Sequence, residues 1–196
     1  MAMLLSISDQ ANGDTVNIRG GLVRSAGAIT LGVTDIRIDS VANTTTIESS
    51  GGTITLATSA GREIQSVTNG EDALTVSSSG AKNIGVVGDG GFALSALTVN
   101  GGGTIALSGA TIDTTGDQTY SDPVTISSGL ILTAGGALSV AQTFDGNFDL
   151  TLAVTGMSTF TGAAGGAAAG TAIGDGAGAA ITINSTGATE FSSTVN

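Results

Sequence analysis

The chain has 196 residues, five basic and sixteen acidic, for a net charge of −11; it contains 32 glycines, one proline and no cysteine, histidine or tryptophan. Disulfide and thiol chemistry are excluded, and a chain this poor in Lys and Arg does not suit nucleic acid or an anionic membrane surface, both of which bind clustered cations. With only 3% aromatic residues, a space filled by Val, Ile, Leu and Ala must be narrow, so a thin core is expected rather than a sphere.

The acidity itself is explained by the solubility needs of a β protein rich in strand edges. Disorder is the rival reading of so much Gly, Ser and Thr. Against it stand 40% hydrophobic residues, a mean hydropathy of +0.37 and many β-branched side chains at alternate positions. The opening MAMLLSISDQ lacks a basic region and has only a brief apolar run, so it does not read as a secretory signal; the chain reads as a piece of something longer. No stretch approaches the ~20 apolar residues that would span a bilayer.

Taken in order, the predicted strands are Thr15 to Ile18, Ala28 to Leu31, Ile36 to Ile38, Thr45 to Glu48, Thr53 to Leu56 and Leu74 to Val76. They continue with Ile84 to Val87, Leu97 to Val99, Thr104 to Leu107, Val124 to Ile126, Leu130 to Leu132, Leu150 to Val154, Thr159 to Thr161 and Ile181 to Ile183. In Leu97-Thr98-Val99, Ile105-Ala106-Leu107 and Ile181-Thr182-Ile183 the apolar residues fall at i and i+2 and share one face. Ser, Gly, Asn-Gly and Asp-Gly punctuate the runs, and none is long enough for a globular helix.

Internal similarity appears at two offsets. AGAITLG, GGTIALS and TGATEFS align on Gly27, Gly103 and Gly187, giving offsets of 76 and then 84. Ile36 with Ile112, Gly70 with Gly146 and Leu74 with Leu150 repeat the shorter offset, and ALTVN from Ala96 matches AITIN from Ala180 at the longer one. This gives one continuous domain over 1–196 with repeats at 27–102 and 103–186, a third starting at 187–196, and a Gly/Ala-rich loop at 163–180.

Short strands, glycine at most corners and long-period repetition favour an all-β fold, a single-stranded parallel β-helix or β-solenoid; an antiparallel β-sandwich is the alternative. At roughly 20 residues per coil the chain would make about ten coils, a rod of about 45 to 50 Å. Stacking would line up β-branched residues inside and Thr and Asn in ladders, and would disfavour charges because like charges would lie over one another.

The stretch TTGDQTYSDPVTI (Thr114 to Ile126), followed by LTAGGALSV and FDGNFDLTL, resembles the repeats of very large bacterial surface adhesins of the filamentous-haemagglutinin-like class. STFTGAAGG (Ser158 to Gly166) is similar to their TFxGAVGG element, and FSSTVN (Phe191 to Asn196) to the start of a further copy. The likeness covers about residues 50 to 196 and only loosely the first 50. It departs in the run AAAGTAIGDGAGAA and at Arg19, Arg24 and Arg37, where the repeats carry small polar residues. The resemblance implies a secreted or surface-anchored parallel β-helical rod serving adhesion, biofilm formation or the spacing of a distal tip.

Candidate chemistry is sparse. Asp89 in GDGG and Asp175 in GDGAG sit in fragments of the calcium-binding nonapeptide, which supplies enough oxygens only in stacked tandem copies; an Asp-Gly turn explains both as well. Carboxylate pairs of the kind glycan-processing β-helices use are Asp113 with Asp117, Asp145 with Asp149 and Glu71 with Asp72, with Lys82 as the only lysine. Each pair also fits a turn in which Asp bonds its own backbone. Serine is common but has no histidine to serve as its base, and the Gly-rich stretches lack the Lys and following helix of a phosphate loop. The reading is therefore a non-enzymatic structural or adhesive module, with no cofactor and no catalytic residue. A self-assembling filament or surface-layer subunit joined end to end is the first alternative, and a polysaccharide-active enzyme the second.

Overall fold

A computed structural model describes residues 5–8 (backbone only), 15–32, 35–40, 43–57, 61–89, 91–165, 173–174 and 180–196. Its 23 strands form three parallel sheets of seven, eight and eight strands, with no helix among the described residues. Consecutive strands go to the first, second and third sheet in rotation, so the chain winds as a parallel β-solenoid with three faces.

Coil 1 comprises Leu5–Ser8, Thr15–Ile18 and Leu22–Ser25, and coil 2 Ile29–Gly32, Asp35–Ile38 and Thr44–Ser49. Coil 3 comprises Ile54–Leu56, Glu63–Ser66 and Ala73–Ser78, and coil 4 Lys82–Ile84, Val86–Val87 and Ala96–Asn100. Coil 5 comprises Ile105–Leu107, Thr111–Thr114 and Gln118–Tyr120, and coil 6 Val124–Ile126, Leu130–Ala134 and Leu138–Val140. Coil 7 comprises Phe144–Asp145, Leu150–Val154 and Ser158–Phe160; coil 8 is carried on the second and third faces by Ile181–Ile183 and Thr189–Phe191.

Ten coils were expected, and the described residues make seven full coils and part of an eighth. The reason is corner length. On the first face the inward register runs Ile29, Ile54, Lys82, Ile105, Val124 and Phe144, with the backbone of Leu5 paired to Ile29. The early steps along that series are long and uneven, the longest being Ile54 to Lys82, and only from Ile105 onward do they settle to the short coil that was expected throughout. At ~4.8 Å between strands, eight coils rise roughly 35 Å.

The register also sorts the two repeat offsets. Ile36 and Ile112 share one inward column, through Ile64 and Val87, so the shorter offset equals three of the longer coils. The longer offset joins different faces: Ile105 lies on the first and Thr189–Phe191 on the third, while Ala96–Asn100 lies on the third and Ile181–Ile183 on the second. Gly70, just before a third-face strand, and Gly146, just before a second-face strand, likewise occupy different corners.

Alternation turns every second side chain inward. Val16, Ile36, Ile64, Val87, Ile112, Leu132 and Leu152 stack as one column, and Val23, Ile47, Val76, Val99, Tyr120, Val140, Phe160 and Phe191 as another. Nearly all are buried in one continuous core. Each fully buried aliphatic side chain contributes about 1.5 to 3 kcal/mol, so every added coil deepens the same apolar column instead of starting a new one. Ile183 ends the first of these columns and is 48% exposed.

Corners bring backbone against backbone. At Gly103, φ is +70° and a Cβ would collide with the Gly80 carbonyl oxygen, so only glycine fits there. Corner carbonyls are met from inside: Ser49 Oγ donates to Gly27 O at 2.8 Å, and Ser78 Oγ to Gly52 O at 2.6 Å. Of the predicted Gly/Ala loop at 163–180, most lies outside the described residues. Ala164 bridges Phe144 and Val195, Ile173 is buried, and Gly174 N donates to Phe148 O at 2.9 Å.

Candidate functional site

The three carboxylate pairs meet different fates. Asp113 points outward on the second face, opposite Thr133, whereas Asp117 turns into the next corner and accepts Ala137 N–H at 2.8 Å. Asp72 is buried and structural, accepting Ser66 Oγ at 2.8 Å and Ser40 N–H at 3.0 Å, while its neighbour Glu71 is exposed. Asp145 and Asp149 bound one corner; each has an Oδ1 atom shielded from solvent with no hydrogen-bond partner, and burial pushes the Asp145 carboxyl above its ordinary range.

Lys82 joins none of these pairs. It projects into the core on the first face between Ile54 and Ile105, and its Nζ lies 3.0 Å from Asp122 Oδ2. It also donates to Ser78 O at 2.7 Å, to Gly80 O at 3.2 Å and to Gly102 O. Asp122 in turn accepts Gly102 N–H on both oxygens at 3.1 Å. One ammonium thus ties the corners of three successive coils. No Lys or Arg follows Lys82 in the sequence.

Of the two calcium candidates, Asp175 lies outside the described residues. Asp89 sits exposed in a turn after Gly88, whose φ is +72°. Among the described residues no group of three or more His, Cys, Asp or Glu is placed to hold a metal ion.

Sequence spacing did not bring out what Asp89 belongs to. Asp35 and Glu63 are register partners on coils 2 and 3, and Glu63 pairs onward with Val86 on coil 4. Asp89 follows Val86 within the same coil, and a Cβ at Gly88 would lie 3.2 Å from Asp113 Cβ on coil 5. Three successive coils thus bring Asp35, Glu63 and Asp89 to one place on the second face, with Asp113 next along from Asp89 on the fourth. Asp35, Gly61, Arg62, Glu63, Val86 and Asp89 line a shallow concavity of about 210 Å³ there. Burial first, then repulsion from Asp35 and Asp89, raises the Glu63 carboxyl, with Arg37 acting in the opposite sense. Burial and then Asp89 raise Asp113. Only Asp35 and Glu63 stand one coil apart in register, and Asp89 reaches them from the turn after Val86–Val87, so spacing in the sequence carries no signal for the group.

Chemically the concavity is an acidic ridge with one guanidinium in its wall, suited to holding protons or attracting cations. The chain matches no protein-family model, no curated protein and no solved structure.

Proposed function

We infer that the chain is a structural and adhesive module of a large bacterial extracellular surface protein, a stiff rod that projects or spaces an adhesive surface. The observation that supports this reading is the uninterrupted stacking of the same three faces through at least seven coils over one core. A solenoid of this kind lengthens by adding coils without altering those already present. The resemblance of the 114–126 stretch and its neighbours to surface-adhesin repeats points the same way. The test is display of one, two and three tandem copies on a non-adherent bacterium. Rods that lengthen by roughly 35 Å per copy in electron micrographs, with surface attachment or biofilm rising over the parent strain, are expected. Compact particles, or attachment equal to the parent strain, would remove the reading.

Self-assembly is the second reading, favoured by the exposed Ile183 at 48% and Val195 at 47% on the last described coil. A further coil, from the same chain or another copy, would cover them. Sedimentation showing concentration-dependent end-to-end oligomers supports assembly, and a strict monomer at high concentration counts against it.

A further inference from the structure

The acidic ridge departs from how the rest of the molecule handles charge. Elsewhere on the N-terminal coils an acid is matched by a guanidinium on the adjacent coil: Arg19 with Asp39 at 2.9 Å and Arg24 with Glu48 at 2.8 Å. Along the ridge, Asp35, Glu63, Asp89 and Asp113 occupy four consecutive coils. The cations near them are Arg37, 3.3 Å from Asp35 on its own strand, and Arg62 in the concavity wall. Four carboxylates face two guanidiniums.

Parallel stacking fixes the centre of this arrangement, because Asp35 and Glu63 are register partners and Asp89 of the next coil lines the same concavity. Neighbouring strands lie ~4.8 Å apart, so Asp35 and Glu63 stay within the range where like charges repel, and Asp89 adds to the repulsion at Glu63 and at Asp113. Protonation relieves it. We propose that the ridge makes the rod acid-strengthened: coils 2 to 5 stack more firmly as the surroundings become mildly acidic, and less firmly at neutral pH and above.

The sign follows from which state holds the protons. Glu63 and Asp113 keep theirs to higher pH in the folded chain than in the unfolded chain, because burial and the neighbouring acids disfavour the charged form. Stability from this source is fully present below the ordinary carboxylate range and is lost as pH rises through the raised folded values. The device is independent of what the rod adheres to, and gives a surface rod a means of stiffening in an acid environment.

Thermal unfolding of the full chain at low salt, at about pH 7.5 and at about pH 4, within the ordinary carboxylate range, tests it. The midpoint of the wild-type chain is expected to rise by several degrees on acidification. In Glu63→Gln/Asp113→Asn the rise shrinks to about half or less, and the midpoint at the higher pH exceeds that of the wild type. The remainder of the rise belongs to Asp145, raised by its own burial. Salt at about 0.5 M should mimic acid, raising the wild-type midpoint at the higher pH and scarcely at the lower. A flat or falling wild-type midpoint on acidification overturns the proposal, as does a double variant that keeps the full rise. Both substitutions are isosteric and on the outer surface, and urea midpoints replace thermal ones should melting prove irreversible.

Discussion

Lys82 occupies a place on the first face where Ile29, Ile54 and Ile105 put aliphatic side chains. Its side chain is fully buried, and Asp122 is nearly so at 6%. Burying a charge is tolerable only when it is paired and its remaining donors are used, and three backbone carbonyls use them here. Asp122→Ala should therefore cost about 3 to 5 kcal/mol in urea unfolding, because it strands an ammonium in the core. Lys82→Met/Asp122→Ala should recover a good part of that loss, since no uncompensated charge remains. A double variant no more stable than Asp122→Ala would mean that the carbonyl contacts, rather than the pair, carry the effect.

Single strands show how side chains trade volume within a coil. On the third face the inward pairs are Leu138 with Val140 on coil 6, and Ser158 with Phe160 on coil 7. Phe160 stacks on Phe191 at 4.8 Å between ring centres and meets Phe144 edge-on at 5.8 Å, so the small Ser158 sits beside the large ring. Ser158→Leu should overpack and cost about 1 to 3 kcal/mol, read from the thermal midpoint. Adding Phe160→Val reproduces the Leu and Val pair of the coil below and should return about half of that cost or more. Equal losses in the single and double variants would contradict this account of the packing.

Strand parity was legible in the sequence wherever Leu, Ile or Val alternated with Thr or Ala, as at Leu97–Val99 and Ile105–Leu107, which are buried, half-buried and buried in turn. Strands whose inward residues are polar escaped. Gln118–Tyr120 buries Gln118, satisfied by Thr133 O at 2.8 Å and by Tyr120 Oη at 3.1 Å, and Glu63–Ser66 buries Gln65 and Ser66. Alternation of hydropathy cannot report an inward amide whose partners come from other coils. The acidic ridge was hidden for a related reason: its members come from different coils and from different places within them, and the early coils are irregular.

At the scale of the whole molecule, the regular period lies in the second half. TIDTTGDQTY from Thr111, ILTAGGALSV from Ile131 and TLAVTGMSTF from Thr151 follow one another at a constant interval, and the register confirms the match through Ile112, Leu132 and Leu152. The shorter of the two repeat offsets counts three longer coils of the first half, so the two periods describe different parts of one solenoid. Length added to corners leaves the three faces stacked, which is why the long coil from Ile54 to Lys82 and the short one from Ile105 to Val124 share one core.

Because the chain has no cysteine, the stacking can be measured directly with introduced pairs on the outer side of the third face. Thr75 lies opposite Thr98, and Thr98 opposite Thr119. Oxidation should close Thr75→Cys/Thr98→Cys and Thr98→Cys/Thr119→Cys readily, because neighbouring parallel strands fall within the ~7 Å that a disulfide spans. Thr75→Cys/Thr119→Cys, two coils apart at ~9.6 Å, should stay open. Closure of that third pair, or failure of the first two in a folded chain, would contradict a parallel stack of coils.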